Sequence, residues 1–500
     1  MDSNSRQISD ETIVQTIEKS ITNHREAVKK INDEIFKNPE LAWEEITAHN
    51  AICDYFSSLG PDYKVHRHAY GIETSFLIEA TQELSKVDTT SLTPSSTSSH
   101  VNPRTIVYNA EYDALPNMNV VQGTDPPEYI PAHACGHNLI ASASIAAFIA
   151  CWEVLKSTHS PGTVKLLGTP AEENGGGKIK LLEAGAYANV NACVMVHPGP
   201  LASDETLKAV AFTRSLASQR LTADFKGLAS HAGGAPWHGK NALDALVTSY
   251  VAISTLRQQL RPDLRVAGVV KEGGTASNVI PDHTVAEYSI RATSRTDLED
   301  LCDKVTRCFV SGGQAADCDT NVDARAAYWE TSSNPELCCG FTKRMNEFGV
   351  KTVYELPEIT DNPGNVSHYC PAMQAAFFIE SDGAVNHTPE FAKAAGTDDA
   401  FMRAIDCAKG LPAVGFDVLT DDKRANETQA IYVSDILAKA AAVAQTYGKT
   451  VPSQEQVNAL IASPPHPIQR LLKTPGFSRH QVIAALMAVD AYLDKKRGLF

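Results

Sequence analysis

The sequence predicts an α/β protein in which one domain is interrupted by a smaller inserted domain. Three observations predict this fold class: the length of the chain, the alternation of strands and helices, and a change of pattern midway. Five hundred residues exceed what one hydrophobic core usually organises. The composition, 43% hydrophobic and 21% charged, fits well-packed cores and excludes a disordered chain.

The first half of the chain has the pattern of a layered α/β domain. Residues 10–60 predict two helices, the second opened by the segment NPELAWEE. A Ser/Thr/Pro-rich stretch at 84–103 predicts an exposed loop, to which the sequence assigns no role. Strands at RTIVYNA, TVKLLGT and NACVMV then alternate with helices at NLIASASIAAFIACWEVL and GGKIKLLEAGAY. This alternation is typical of a parallel sheet with helices on both faces.

Residues 209–325 have a different pattern, which indicates an insertion. Strands and helices follow in the order β-α-β-β-α-β, the split βαβ plan of a small two-layer domain. Strand-like segments resume at KTVYELPE and AAFFIES. The first domain is therefore predicted to comprise residues 1–208 and 326–500. Its tail, from 450 to 500, holds Pro-rich turns and one amphipathic helix, whose role the sequence does not reveal.

Charge and cysteine content narrow the class of protein. The formal charge of −15, from 59 acidic and 44 basic residues, disfavours binding to nucleic acid or to an anionic membrane. No apolar run reaches the about 18 residues of a membrane helix, and the polar amino terminus lacks a secretory signal. The eleven cysteines are odd in number and scattered, so we expect free thiols in the reducing cytoplasm.

Metal-binding side chain types occur at or just beyond the ends of predicted strands. The carboxyl ends of such strands surround the crevice where α/β sheets bind ligands. The segments NAEYDALP, HACGHN, GTPAEENGGGK, VMVHPGP and AVNHTPEF supply Asp113, His133, Cys135, His137, Glu172, Glu173, His197 and His387.

This mixture of donors indicates a particular kind of ion. A cysteine, several imidazoles and a carboxylate suit zinc, with manganese or cobalt as other occupants, whereas calcium or magnesium would require oxygen ligands. Each segment alone also fits a packed cysteine or a hydrogen-bonded histidine. Their joint occurrence at successive strand ends favours a metal site.

Glu172 and Glu173 are adjacent, so their side chains point in different directions and seldom bind one ion together. We expect one to bind metal and the other to remove a proton from a metal-bound water and pass it to a leaving nitrogen. The alternative is a pair of solvated acids before a helix. A phosphate cradle is disfavoured, because two acids precede the glycines and no GK[ST] follows.

Several longer motifs resemble one enzyme family. EYDALP, HACGHNLI, PAEENGGGK, VMVHP, SHAGGAPWHGKNALDA, GGTASNVIPD and NHTPEF together resemble the dinuclear zinc metallopeptidases that include aminoacylases and carnosinases. Within them the chain is most similar to the amidohydrolase branch of auxin-conjugate hydrolases, aminobenzoyl-glutamate hydrolase and β-alanyl-lysine dipeptidase. The resemblance spans about residues 25 to 450. It implies a three-layer α/β/α catalytic domain interrupted by a two-layer α+β, ferredoxin-like lid and dimerisation domain, and a homodimer.

The resemblance also implies roles for individual residues. Those matching the metal-ligand positions are Cys135, His137, Glu173, His197 and His387, with the Cys135 thiolate bridging two ions. Glu172 matches the general base, and Asp113 matches an acid that orients a ligand. His231 matches a histidine that reaches the partner subunit's site to stabilise the oxyanion, and Asn278 matches a substrate-contacting asparagine. Arg291 is a candidate for binding a substrate carboxylate, with a surface position on a strand as its alternative.

The function predicted from these residues is hydrolysis of the amide bond of a small N-acyl amino acid or dipeptide. A water bridging two divalent ions would attack the carbonyl, with Glu172 as general base. Two alternatives use the same fold: an enzyme that forms amide bonds, and a catalytically silent, metal-free binding protein. A polynucleotide hydrolase is disfavoured by the net charge. The exact acyl group, amine and native metal cannot be predicted from the sequence.

Overall fold

A computed structural model of the protein describes residues 9–83, 103–121, 128–360 and 364–446. The chain folds into two compact units. Among the described residues, the first comprises the chain up to Thr213, then Ser332–Pro357, and the chain from Val366 onwards; the second comprises Arg214–Thr331 and Glu358–Asn365. The insertion expected at 209–325 thus begins and ends a few residues before the second unit's main segment does. Almost all of the 84–103 loop and the entire 450–500 tail lie outside the described residues.

The elements before the second unit begin with two helices and end with a strand. In chain order they are α1 (Asp10–Lys37), α2 (Ile46–Ser58), β1 (Lys64–Arg67), β2 (Phe76–Gln82), β3 (Thr105–Ala110), β4 (Leu115–Val121), β5 (Glu128–Ala132), α3 (His137–Thr158), β6 (Gly162–Gly168), α4 (Gly177–Glu183), β7 (Ala192–Pro200) and β8 (Ala209–Ser215).

The second unit contributes β9 (Ala217–Lys226), α5 (Ala242–Thr255), β10 (Arg265–Glu272), β11 (His283–Ala292), α6 (Arg295–Ala315) and β12 (Asp319–Ala324). The chain then continues with α7 (Pro335–Glu347), β13 (Thr352–Thr360), β14 (Ala372–Ile379), α8 (Pro389–Ala395), α9 (Asp398–Ala408), α10 (Gly410–Thr420) and α11 (Asp422–Thr446).

The large sheet is mixed rather than wholly parallel. Over the described residues its strand order is β1-β2-β6-β3-β7-β14-β8-β13. The central strands β6, β3, β7 and β14 are parallel, whereas β1, β2 and β8 pair antiparallel with their neighbours. The expectation of a parallel sheet therefore holds at the centre and is wrong towards the edges. The parallel centre is what positions the site, because it brings four carboxyl strand ends to one edge.

Helices cover both faces of this sheet. All side chains of β3 and β14 are buried, as expected for strands covered on both sides. Ile106 and Tyr108 of β3 join the main core with α1, α2, α3, α7, α9 and α10. The intervening Val107 packs on the opposite face with Leu181 of α4. Three layers result, and the predicted α/β fold class is confirmed.

Helix α3 forms the centre of the main core. It is long and apolar enough to cross a membrane, but 94% of its most apolar part is buried inside the protein. A core helix of a soluble protein passes the same test, so this helix carries no argument for a membrane. Its burial on all sides explains why the sequence lacks the polar stripe of a surface helix.

The second helix begins later than the sequence predicted. The segment NPELAWEE precedes α2, which starts at Ile46. The Glu40 carboxylate accepts the amides of Thr47 (2.7 Å) and Ala48 (3.1 Å) in the first turn of α2. Trp43 has a positive φ of 71°, which a helix does not allow. Of the acidic residues in this segment, Glu40 thus caps the helix from outside it, whereas Glu45 makes no side-chain cap.

The second unit contains a four-stranded antiparallel sheet in the order β10-β11-β9-β12. Helices α5 and α6 pack on one face of this sheet over a separate apolar core. Asn241 caps α5 through its side-chain oxygen, and Ser294 caps α6 in the same way. The order β9-α5-β10-β11-α6-β12 is the predicted split βαβ plan.

Candidate metal centre

The carboxyl ends of the four parallel strands bring the candidate site together. Asp113 follows β3, the Glu172–Glu173 pair follows β6, His197 lies within β7, and His387 lies in the loop after β14. These strands are neighbours in the sheet, so residues far apart in sequence meet at one edge.

Cys135 and His137 reach the same edge through a tight turn at the start of α3. Gly136 between them has φ +74°, and a Cβ there would lie 2.6 Å from Pro198 Cγ. Only glycine fits this left-handed, crowded position without strain. His387 is tied to the turn by its backbone amide, which donates to the carbonyl of Ala134 at 2.9 Å.

Hydrogen bonds fix the orientation of two imidazoles. His137 Nδ1 donates to Asp113 Oδ1 at 3.0 Å, and His197 Nδ1 donates to the carbonyl of Pro198 at 2.8 Å. In both rings the Nε2 lone pair then faces the cluster, as a metal ligand requires. The other oxygen of Asp113 accepts the Glu173 amide at 3.0 Å.

Two overlapping groups of donors could each hold an ion. One contains Cys135, His137 and His197, the other Cys135, Glu173 and His387, and in each group the donor atoms lie within 4.8 Å of one another. Cys135 belongs to both groups. Its sulfur is 3.3 Å from His197 Nε2, and Glu173 Oε1 is 3.4 Å from His387 Nε2.

The donor set fits divalent ions on an observation independent of any motif. His137 Nε2 and Glu173 Oε1 are buried, and neither makes a well-directed hydrogen bond in the described part of the chain. Buried polar atoms without partners are costly. A bound cation would satisfy both of them, and a soft sulfur with two imidazoles suits a borderline-soft metal.

The electrostatic surroundings shift the pKa values of the thiol and the two adjacent carboxyl groups in different directions. Burial and the charge of Glu173 oppose ionisation of Cys135, but His197 and His137 outweigh them and lower the pKa of Cys135 to about 6. Burial also disfavours the Glu173 carboxylate, yet His387 and His137 lower the pKa of Glu173 to about 2. For Glu172, burial and the charges of Glu111 and Glu173 raise the pKa well above its ordinary value.

The sequence did not predict a role for Glu111 and Lys178. Glu111 is buried, its Oε2 lies 3.5 Å from His137 Nε2, and it forms an ion pair with the buried Lys178. Glu111, His137 and Glu172 form a third group of potential ligands. The sequence did contain a signal for Glu111, because Glu111 stands two residues before Asp113 and both follow β3.

His133, also singled out by the sequence, does not join these groups of donors. Its Nε2 lies 3.0 Å from the carbonyl of Ile35 in α1, and its ring stacks on Phe36 at 6.4 Å between ring centres. Burial lowers the pKa of His133 to about 3.

The remaining predicted residues belong to the second unit. His231 is exposed, and the backbone of the adjacent Ala232 donates to the carbonyl of Asn278 at 3.0 Å. Arg291 lies on β11, where it pairs in register with Ser218 of β9. His231 and Asn278 are thus neighbours, whereas Arg291 belongs to the sheet.

Part of the chain matches a known domain family, and a larger part matches known enzymes. Residues 213–314 match the M20 peptidase dimerisation domain. The Xaa-Arg dipeptidase of Mus musculus is 35% identical over 395 residues, covering 77% of this chain and 84% of that protein. A component chain of the p-aminobenzoyl-glutamate hydrolase of Escherichia coli is 28% identical, covering 63% of this chain and 60% of that protein.

A solved structure shares the fold. It is a dinuclear metal-binding peptidase of the M20 family from Bacillus subtilis, with a TM-score of 0.54 and 16% identity, and the match covers 80% of this chain and 99% of that one. At this identity the likeness shows the fold alone. The level of identity to the dipeptidase, over most of both chains, shows the family. This chain belongs to the M20 family of metal-dependent peptidases and amidohydrolases.

Proposed function

We propose that this protein hydrolyses the amide bond of a dipeptide or small N-acyl amino acid, using two divalent metal ions. The single observation that carries the proposal is the meeting of Cys135, His137, Glu173, His197 and His387 at one sheet edge, with Glu172 beside them. The relatives support the reaction class, since they are named as a dipeptidase and a p-aminobenzoyl-glutamate hydrolase.

The two ions would share the Cys135 thiolate. His137 and His197 would complete one position, and Glu173 and His387 the other. We propose zinc as the occupant, with manganese or cobalt as alternatives, because thiolate and imidazole donors dominate. When bound, the ions supply Lewis-acid polarisation of the substrate carbonyl and lower the pKa of a water molecule towards neutrality.

Glu172 is the proposed proton carrier. It stands next to Glu173 in the turn after β6, and its side chain is buried beside His137, at 3.7 Å from Nε2. Glu172 would take a proton from the attacking water and deliver it to the departing amine nitrogen. Burial and the charges of Glu111 and Glu173 raise the pKa of Glu172, which suits a carboxyl group that holds this proton between the two transfers.

His231 is the proposed donor to the oxyanion, in the partner subunit's site. Its Nδ1 accepts the amides of Gly233 (3.2 Å) and Gly234 (2.9 Å), so the ring proton of the neutral imidazole sits on Nε2. The loop therefore presents Nε2–H as a prearranged donor for the negative charge that develops on the carbonyl oxygen. Asn278, whose carbonyl accepts the Ala232 amide, would contact the substrate from the same loop pair.

The test is a substrate panel with metal content measured on the same sample. Xaa-Arg dipeptides come first, followed by other dipeptides, N-acyl amino acids and p-aminobenzoyl-glutamate. We expect hydrolysis of at least one class, with about two ions per chain. In Glu172→Gln we expect unchanged metal content and loss of nearly all turnover, because the amide cannot carry the proton. Turnover retained by this variant would remove Glu172 from the mechanism.

We also propose a homodimer formed through the second unit. Val247, Tyr250 and Val251 are about half exposed on one face of α5, and Val269 and Val270 are about half exposed on the edge strand β10. The apolar helix face and the open strand edge are surfaces of this unit that a second copy of the chain could cover.

The oligomeric state and the shared site are tested separately from the substrate. We expect light scattering to give twice the mass of one chain, and Val251→Asp to give the monomer. Mixing inactive Glu172→Gln and His231→Ala protomers should restore activity, because a mixed dimer contains one complete site. A monomeric wild-type protein, or mixed dimers without activity, would contradict the shared site.

A further inference from the structure

The turn that carries Glu172 and Glu173 has an unusual backbone. We name residues 170–177 the acid turn. The carbonyl of Ala171 accepts the amides of Gly175 (3.1 Å) and Gly177 (3.2 Å), which closes the turn. Ala171, immediately before Glu172, is fully buried and has φ +54°. A non-glycine residue in this region persists only where its surroundings hold it.

One side chain holds Ala171 directly. Glu45 Oε1 accepts the Ala171 amide at 2.7 Å, and the Glu45 side chain is fully buried. Glu45 comes from the segment before α2, 126 residues away in sequence. It makes no side-chain cap to α2, although it occupies the residue before that helix. A buried carboxyl group is costly unless it has specific partners, and the Ala171 amide of the acid turn is one of them, beside the Thr74 hydroxyl.

The rest of that segment contacts the same region. We name residues 38–45 the brace segment. Its Glu40 carbonyl accepts the amide of Ala114, the residue after Asp113, at 2.8 Å. Its Trp43 leaves no room for a side chain at Gly175, where a Cβ would lie 2.6 Å from the indole nitrogen. Lys180 of α4 lies 4.0 Å from the centre of the Trp43 ring.

The brace segment is itself anchored. The Glu40 carboxylate holds the amides of Thr47 and Ala48 in the first turn of α2, as described above, so the segment is fixed to a helix of the main core. Ile52 and Phe56 of α2 are fully buried in that core. The brace segment is therefore fixed to a helix of the main core and contacts the acid turn through Glu45. A catalytic group is held precisely when such a firmly packed element supports it.

We propose that Glu45 is a positioning residue: it holds Ala171 in its left-handed conformation and thereby fixes where Glu172 and Glu173 point. This inference rests on the proposed roles of those two acids. Glu45 acts through the backbone and touches no substrate. Burial and the charge of Asp113 raise the pKa of Glu45 to about 7, so an uncharged glutamine is a close substitute for it.

The experiment compares three variants of the full-length protein. Glu45→Met keeps the volume but removes the acceptor, Glu45→Gln keeps an acceptor oxygen, and Glu44→Met makes the same change at the exposed neighbour. Hydrogen exchange of the acid turn is measured first, because it does not depend on activity. In Glu45→Met we expect the Ala171 amide to exchange about tenfold faster, the factor that corresponds to losing one intramolecular hydrogen bond. Glu45→Gln and Glu44→Met should match wild type.

Kinetics on a substrate from the panel provides the second measurement. We expect kcat of Glu45→Met to fall about tenfold to a hundredfold, as for a displaced catalytic group. KM should change little, and Glu45→Gln should restore most of kcat. A role in stability alone would lower the yield of folded protein while leaving kcat per folded molecule unchanged.

The outcomes separate the two proposals. If Glu45→Met exchanges like wild type in the acid turn, the positioning role is overturned, whatever the activity. If wild type hydrolyses nothing in the panel, the proposed function fails while the exchange result still decides the role of Glu45. Should Glu45→Met not fold, wild type decides instead: a rapidly exchanging Ala171 amide overturns the inference, and a strongly protected one supports it.

Discussion

Asp113 uses both carboxylate oxygens within the site. One accepts from the His137 ring and the other from the Glu173 amide, so one side chain orients two proposed ligands. In Asp113→Asn the amide nitrogen must replace one of these acceptors. We expect metal affinity to fall about tenfold to a hundredfold, the usual effect of losing such a partner.

A competition titration with a chromophoric chelator measures this affinity. Asp382→Asn, an exposed change in the loop before His387, is the matched control and should bind metal like wild type. Equal affinities in the two variants would contradict the orienting role of Asp113.

At the scale of residues, sequence reasoning predicted the side chains that meet at the sheet edge and Asp113, which orients two of them, but missed Glu45 and Glu111. Cys135 and His387 were predicted because their residue types and motifs are distinctive. Glu45 belongs to the segment NPELAWEE, which was predicted to open the second helix, and Glu111, two residues before Asp113, was given no role. Their roles depend on contacts across the fold, such as Glu45 with Ala171, which leave no local pattern in the sequence. The assigned roles of the ligands, of Glu172 and of His231 stay predictions.

At the scale of elements, the start of α4 contains a buried ion pair. Lys178 in the first turn pairs with Glu111 from the end of β3, and both side chains are almost fully buried. Removing one partner leaves an uncompensated buried charge. We expect Lys178→Met to lower the free energy of unfolding by about 3–5 kcal/mol.

Urea unfolding of the metal-free protein, followed by circular dichroism, gives this value. Lys343→Met, on the exposed face of α7, is the control and should shift the midpoint little, since its side chain is 57% exposed. If both variants unfold at the same urea concentration, the ion pair contributes nothing to stability.

The central strands of the large sheet were predicted, and so was β13 at one edge, as the segment KTVYELPE, whereas β1 and β2 at the other edge were not. β3, β6, β7 and β14 are short apolar runs between turn signals, and such runs predict buried strands well. β1 and β2, by contrast, pair antiparallel at the edge, and the expectation of a parallel sheet gave them no place. The predicted start of α2 was wrong, because acidic residues before a helix and acidic residues inside its first turn look alike in sequence.

At the scale of the whole molecule, a buried histidine links stability to pH. His49 of α2 is buried, donates from Nδ1 to the Thr74 carbonyl, and stacks on His68 at 4.9 Å. Burial lowers the pKa of His49 below its usual 6.5. The unfolded chain therefore binds a proton more readily below that pH. The stability that neutral His49 provides is fully present above pH 6.5 and is lost as the pH falls.

Thermal unfolding at pH 7.5 and pH 5 tests this link. We expect His49→Gln to lose less stability between the two values than wild type does, because glutamine does not titrate. His66→Gln removes an exposed histidine of β1 and should keep the wild-type difference. An unchanged pH dependence in His49→Gln would show that other groups set the acid sensitivity.

The fold class, the reaction class and the family were predictable because they depend on patterns that persist along the chain. Strand and helix periodicity predicted two domains, and seven motifs in order predicted the family. Placement in the cytoplasm stays a prediction, which all eleven free cysteines favour. The exact ends of the inserted domain follow from three-dimensional packing, and local patterns could not fix them.

The order of the large sheet has a consequence for synthesis on the ribosome. β7 and β8 follow one another in the chain, but β14, from residues 372–379, lies between them in the sheet. A nascent chain that has just completed the second unit therefore still has a gap at the middle of its central sheet. Until β14 is synthesised, the edge of β7 that pairs with it lacks its strand partner, and we expect chaperones to bind the ribosome-bound intermediate at this stage.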